Sequence, residues 1–195
     1  MNRRQESIRR RQENHKEKEG IPPSGIGFPT LRHTSEIDGL TKVFNRTAIE
    51  QKINAHISEN TDETSLVLLL DLDNFKAVND MFGHIEGDNL LVETAEKLEH
   101  FCRSTDKVGR LGGDEFIIFL RSVKEKDIDP LVSRIIEQLR KKYSNPEDDF
   151  EVTASIGIAH YPRDGDSFSE LYHCADIALY DAKRRGKTAT HATGT

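Results

Sequence analysis

The sequence predicts an α/β (α+β) sandwich in which helices flank a central mixed sheet, and three observations carry that reading. The run Leu66-Val67-Leu68-Leu69-Leu70 is apolar without alternation, as a strand covered on both faces must be. Segments with apolar residues at helical spacing alternate with β-rich runs along the chain. Finally, Arg110-Leu111-Gly112-Gly113-Asp114-Glu115-Phe116 puts a Gly-Gly pair between two β-rich runs, which reads as a hairpin turn.

Taken in order, residues 1–19 hold seven Lys/Arg and four Glu, with Ile8 the only large apolar residue after Met1. Such a segment has no face to bury, so it reads as a charged arm. Gly20-Ile21-Pro22-Pro23-Ser24-Gly25 then breaks any helix, and arm plus linker are assigned to 1–33. The folded domain is placed at 34–190 and a tail at 191–195. Ile49, Ile53 and Ile57 recur four apart, predicting a helix that ends at Asn60-Thr61-Asp62. Ser65 to Asp73 is the buried strand. A short helix covers Phe75 to Phe82 and a longer one Asn89 to Phe101, with Leu90, Leu91, Ala95 and Leu98 inward. Lys107–Leu111 and Glu115–Arg121 are the hairpin arms. Pro130 is placed in the first turn of a helix running to Tyr143. Glu151 to Ala159 is a further strand, and Ser169 to Arg185 the last helix.

Composition narrows the function. No apolar run approaches the ~20 residues of a membrane span, and the N-terminus lacks the apolar core of a signal peptide, so a cytoplasmic location is expected. A net charge of −6 argues against a general nucleic-acid surface. Cys102 and Cys174, far apart, suggest neither a metal site nor a disulfide framework, and read as partly buried thiols.

The chemistry gathers around the strand end and the turn. Asp71 and Asp114, if their strands are neighbours, would offer hard oxygens with the Leu72 carbonyl between them, suited to Mg²⁺ or Mn²⁺. Such an ion would hold a nucleoside triphosphate. Either acid alone reads equally as a cap or turn carboxylate. Lys76, Lys183 and Lys187 are available as point charges for phosphate. Gly186-Lys187-Thr188 resembles the end of a Walker motif, but Asp181 stands where that motif needs Gly.

Five segments together resemble the GGDEF family of bacterial diguanylate cyclases. They are Asp38-x-Leu40-Thr41-x-x-x-Asn45-Arg46; Asp71-x-Asp73-x-Phe75-Lys76-x-x-Asn79-Asp80-x-Phe82-Gly83-His84-x-x-Gly87-Asp88; Arg110-x-Gly112-Gly113-Asp114-Glu115-Phe116; Ser155-Ile156-Gly157-Ile158-Ala159; and Ala175-Asp176-x-Ala178-Leu179-Tyr180-x-Ala182-Lys183. The resemblance covers about residues 36–188. It implies a palm-like nucleotidyl-cyclase sandwich that condenses two GTP into cyclic di-GMP and two pyrophosphates. It further implies two Mg²⁺ (or Mn²⁺) ions per half-site on Asp71, Leu72 and Asp114, with Asp114 and Glu115 catalytic. Asn79 and Asp88 would read guanine; Phe75, Lys76, His84, Gly112, Gly113, Lys183 and Lys187 would complete the substrate site. Lys187 replaces the family's usual Arg, and Lys42 and Phe44 replace Gly and Pro in a loop where little functional consequence is expected. Arg103-Ser104-Thr105-Asp106 matches the family's product-inhibition motif. A homodimer is implied by the reaction, and an upstream sensor domain or partner by the family's usual organisation. The rival readings are a non-catalytic receptor for GTP or cyclic di-GMP, disfavoured because the acids and guanine readers are all present, and a cyclase for another nucleotide, disfavoured by Asp88.

Overall fold

The computed structural model describes residues 36–59, 63–144, 149–186 and 189–191. The predicted arm and linker, the helix stop at 60–62 and Lys187 lie outside the described residues. The described residues belong to one compact unit.

The strands are β1 (Phe44–Asn45), β2 (Ser65–Asp73), β3 (Lys107–Gly112), β4 (Glu115–Arg121), β5 (Lys141–Ser144), β6 (Asp149–Tyr161) and β7 (Ala189–His191). The helices are α1 (Arg46–Glu59), α2 (Phe75–Phe82), α3 (His84–Phe101), α4 (Glu125–Leu139) and α5 (Phe168–Arg184). The strand order is β1-β3-β4-β2-β6-β5, with β7 pairing β6. The pairs β1–β3 and β6–β7 are parallel and the others antiparallel, so the sheet is mixed as expected.

β2 is central, and the period of two divides its apolar run between two cores. Leu66, Leu68, Leu70 and Leu72 join Phe116, Ile118, Ala154 and Ile156 against α2, α3 and α4. Val67 and Leu69 join Ile117, Phe119 and Ala159 against Ile49 and Ile53 of α1 and Leu171, Ala175 and Leu179 of α5. Sheet and α5 approach closely at Gly157, where a Cβ would overlap the backbone of Ala175 and Leu179.

Three boundaries differ by more than two residues from the sequence reading. α3 begins at His84 rather than Asn89, because Gly87 serves as a contact and not as a breaker: a Cβ there would overlap the Asn79 side chain of α2. α4 starts earlier and ends earlier than predicted, at Glu125 and Leu139. Pro130 therefore sits inside it, on an exposed face where water can take the carbonyl that loses its donor. Lys141–Ser144 is a strand and not the helix end, because pairing with β6 lets Tyr143 stack on Phe150 at 5.6 Å and Lys141 reach Glu93 at 2.8 Å. β1, β5 and β7 were not foreseen.

Lys42 holds φ at 65°, the left-handed region that glycine enters without hindrance. Lys42→Gly is expected to raise stability by about 0.5–1 kcal/mol, the steric relief less glycine's extra unfolded-state entropy, as read from urea unfolding.

Candidate active site

The site stands where β2 emerges from the sheet. Antiparallel pairing sets Asp71 opposite Glu115 on β4 and opposite Ser155 on β6. The Leu72 N–H donates to the Asp114 carbonyl at 3.4 Å, so Asp71, Leu72, Asp114 and Glu115 share one strand end. The condition on neighbouring strands is met. Asp71 and Asp73 point to the α5 side of the sheet, and Lys183 of α5 places its ammonium 2.7 Å from Asp71 Oδ1. Residues Asp71, Leu72, Asp73, Asn74, Thr153, Ser155, Ala182, Lys183 and Gly186 line a cavity of about 480 Å³.

The electrostatics are those of crowded acids. Burial pushes the Asp71 carboxyl above its ordinary range; the Lys183 hydrogen bond opposes this, and Asp114 and Asp73 add to it. The Glu115 carboxyl is raised for the same first reason, burial, with Asp71, Asp114 and Asp176 adding. For Asp71 the ion pair thus loses to burial and like charge, as its side chain is only 16% exposed. Asp73 is held differently, accepting from Thr153 Oγ1 at 2.7 Å and Ser155 Oγ at 2.8 Å.

The remaining candidates fall into two further groups. Phe75 packs against the larger core, while Lys76 stands exposed in the first turn of α2, whose leading N–H groups have no partner within the helix. Asn74 turns the chain into that helix at φ 63° and donates to the Glu151 carbonyl at 2.8 Å. Asn79 lies on Gly87, and His84 and Asp88 are exposed on the first turns of α3. Gly112 and Gly113 form the turn, with φ of 143° and 55°. Arg103 and Asp106 lie apart from these. Asp106 accepts from the Arg103 N–H at 2.9 Å and the Arg121 N–H at 3.2 Å, closing the α3–β3 turn. Arg103, Asp106, Arg121, Lys124 and Arg134 line a cavity of about 560 Å³.

Sequence reasoning gave Thr153, Ser155 and Asp176 no role in the site, although Ser155 and Asp176 stand in the segments that resemble the family. The first two alternate along β6 and share the face of Asp71; Asp176 lies seven residues before Lys183, on the same side of α5. Both periodicities were available. Cys102 and Cys174 are partly buried, and burial pushes the Cys102 thiol up to about 12, so neither is a poised nucleophile.

Over residues 35–189 the sequence matches the family described as diguanylate cyclase, GGDEF domain. The chain belongs to that family. Similar curated proteins include the bifunctional diguanylate cyclase/cyclic di-GMP phosphodiesterase MucR of Pseudomonas aeruginosa, 39% identical over 152 residues, covering 77% of this chain and 22% of MucR. The diguanylate cyclase DgcP of Escherichia coli is 34% identical over 153 residues, covering 77% of this chain and 45% of DgcP. This GGDEF chain thus spans less than half the length of those relatives. Among solved structures, a sensory box/GGDEF family protein from Caulobacter crescentus is 37% identical with a TM-score of 0.71, covering 78% of this chain and 100% of its own. The GGDEF domain of DgcB from the same species, in complex with c-di-GMP, is 26% identical with a TM-score of 0.70, covering 83% and 98%. The palm-like α/β fold is therefore shared. No helix among the described residues is long and apolar enough to cross a membrane.

Because the Glu115 carboxyl is raised in the folded state, the native chain holds that proton more tightly than the unfolded one. Stability therefore falls as pH rises through the window above the ordinary value of 4.5, and the loss persists at neutral pH. Glu115→Gln is expected to raise stability at pH 7 without divalent cations by less than about 1 kcal/mol after solvent screening, seen as a higher melting temperature. The gain should shrink below pH 4.5, which thermal scans across pH would read.

Proposed function

We propose that this GGDEF chain is a diguanylate cyclase, condensing two GTP into cyclic di-GMP with release of two pyrophosphates. The observation that carries the reading is the register that sets Asp71 against Glu115, beside Asp114, with Asp71 and Lys183 both lining one cavity.

The donor set fits a hard divalent cation. Among the described residues no group of three or more His, Cys, Asp or Glu stands at ion-holding spacing. Two carboxylates and a carbonyl suit Mg²⁺, which keeps waters and takes phosphate oxygens to complete its shell. The mutual repulsion of the acids, and the lysine ammonium drawn onto Asp71, mark a place where positive charge is wanted. Asp71, the Leu72 carbonyl and Asp114 would hold two Mg²⁺ or Mn²⁺ ions. When bound, they supply charge neutralisation on the transferred phosphorus.

The chain's own residues do the rest. The first turn of α2 and Lys76 bind phosphate oxygens, aided by Lys183 once it leaves Asp71, and by Lys187. Asn79 and Asp88 read the guanine edge, Asp88 accepting from the ring N–H and the exocyclic amine. Asp114 stands at the turn to take the proton of the attacking 3′-hydroxyl. Glu115, its carboxyl raised by burial and its neighbours, is a stronger proton acceptor than an ordinary glutamate. Each domain holds one GTP, so two copies must face each other for both 3′-hydroxyls to attack in line, and a homodimer is part of the mechanism. Cyclic di-GMP binds back at Arg103 and Asp106, where the neighbouring Arg121 and Arg134 add cations to the same cavity, and so limits its own synthesis.

Incubation of the concentrated chain with GTP and Mg²⁺, products resolved by chromatography, tests this directly. Asp114→Ala is expected to abolish cyclic di-GMP formation, a loss of at least ~10³-fold. No product from the wild type, at any concentration and in a forced dimer, would refute the reading. Asp88→Ala is expected to weaken GTP use by about 10- to 100-fold while leaving ATP binding unaffected, so competition assays should show lost guanine preference.

A further inference from the structure

The two glycines that open the catalytic turn have no packing of their own. A Cβ built on Gly112 or Gly113 would meet nothing within 4 Å. Glycine loses more conformational freedom on ordering than any other residue, so a turn of two glycines in open space needs an external hold. One side chain supplies it. Arg110 Nε and Nη2 both donate to the Gly113 carbonyl, at 3.0 and 2.7 Å. That carbonyl belongs to the peptide whose nitrogen is Asp114's, and the peptide plane is rigid, so fixing the oxygen fixes where the Asp114 Cα sits.

The guanidinium is itself braced. Its Nη1 donates to Asp38 Oδ1 at 3.2 Å, and the same oxygen accepts from the Thr41 N–H at 2.9 Å and the Thr41 hydroxyl at 2.6 Å. The Arg110 backbone is anchored in the sheet between Asn45 of β1 and Phe116 of β4. At 13% exposure for Arg110 and 25% for Asp38, the pair is shielded enough from water for its geometry to hold. Asp38 and Arg110 are far apart in the chain, and the cyclase chemistry above assigns neither a task.

We propose that Arg110 is a positioning residue of this active site, held in place by Asp38: it clamps the Gly113 carbonyl and so fixes Asp114 at the end of β2. The Asp38–Thr41 turn, where the chain enters the domain, is thereby coupled to the placement of the catalytic acid. The kinetic consequence rests on the cyclase reading; the clamp does not.

Arg110→Ala, Asp38→Ala and the double variant, made in the full chain, test it. Amide hydrogen exchange at Leu72, whose N–H donates to the Asp114 carbonyl, is expected to quicken by about tenfold or more in each, with the amides of residues 66–70 still protected. Mn²⁺ alone, titrated into nucleotide-free protein, should bind more weakly. In turnover assays kcat should fall about 10- to 100-fold. KM for GTP should stay within about twofold, and the double variant should be no worse than the worse single one. If Arg110→Ala does not fold, Arg110→Lys keeps a cation facing Asp38 without the fork and is expected to show the same exchange and kcat changes. Unchanged exchange at Leu72, or losses that simply add in the double variant, overturns the proposal. A wild type that makes no product refutes the cyclase reading instead, and exchange and Mn²⁺ binding still decide the clamp.

Discussion

The antiparallel register of β2 against β4 is the constraint on which the rest of this molecule depends. A slip of one residue would turn every side chain of β2 to the opposite face. Asp71 would then enter the core formed by Leu68, Leu70, Phe116 and Ile118, and the charge would be stranded there. The leucines would lose their places against α2 to α4 at the same time. Two cores, one on each face, therefore hold the carboxylates in position, and the strength of the site's geometry is the strength of ordinary apolar packing.

What the packing holds is not comfortable by itself. Asp71 and Glu115 are partly buried beside Asp114, and each resists ionisation more than a free carboxylate. Lys183 relieves this only in part. The backbone around the site is unusual as well: Asn74 is left-handed where β2 passes into α2, and the Gly112–Gly113 turn lies in open space. Local discomfort of this kind collects where a protein must bind charge. Here it is carried by a sheet whose central strand is buried over most of its length.

Much of this was legible before any coordinates. The unbroken apolar run of 66–70, the Gly-Gly turn and the helical spacing of Leu171, Ala175 and Leu179 are strong local signals, and each element stands where they put it. The boundaries that moved did so for reasons outside the local sequence. Gly87 reads as a break until Asn79 is seen lying on it. Lys141 to Ser144 reads as the end of a helix until β6 supplies a partner. A residue's neighbours in sequence carry no record of such partners.

The same division holds for the site. By itself the sequence determined the chemical inventory: acids at a buried strand's end and after a glycine turn, cations on the helices, in the order and spacing of the GGDEF family. Only the tertiary structure decided that Asp71 faces Glu115, that Lys183 is engaged with Asp71, that Thr153 and Ser155 hold Asp73, and that Asp38 reaches Arg110. The physical reason is one of range. Propensity and periodicity act within a few residues, whereas an ion pair or a strand register depends on distances that exist only once both cores have closed.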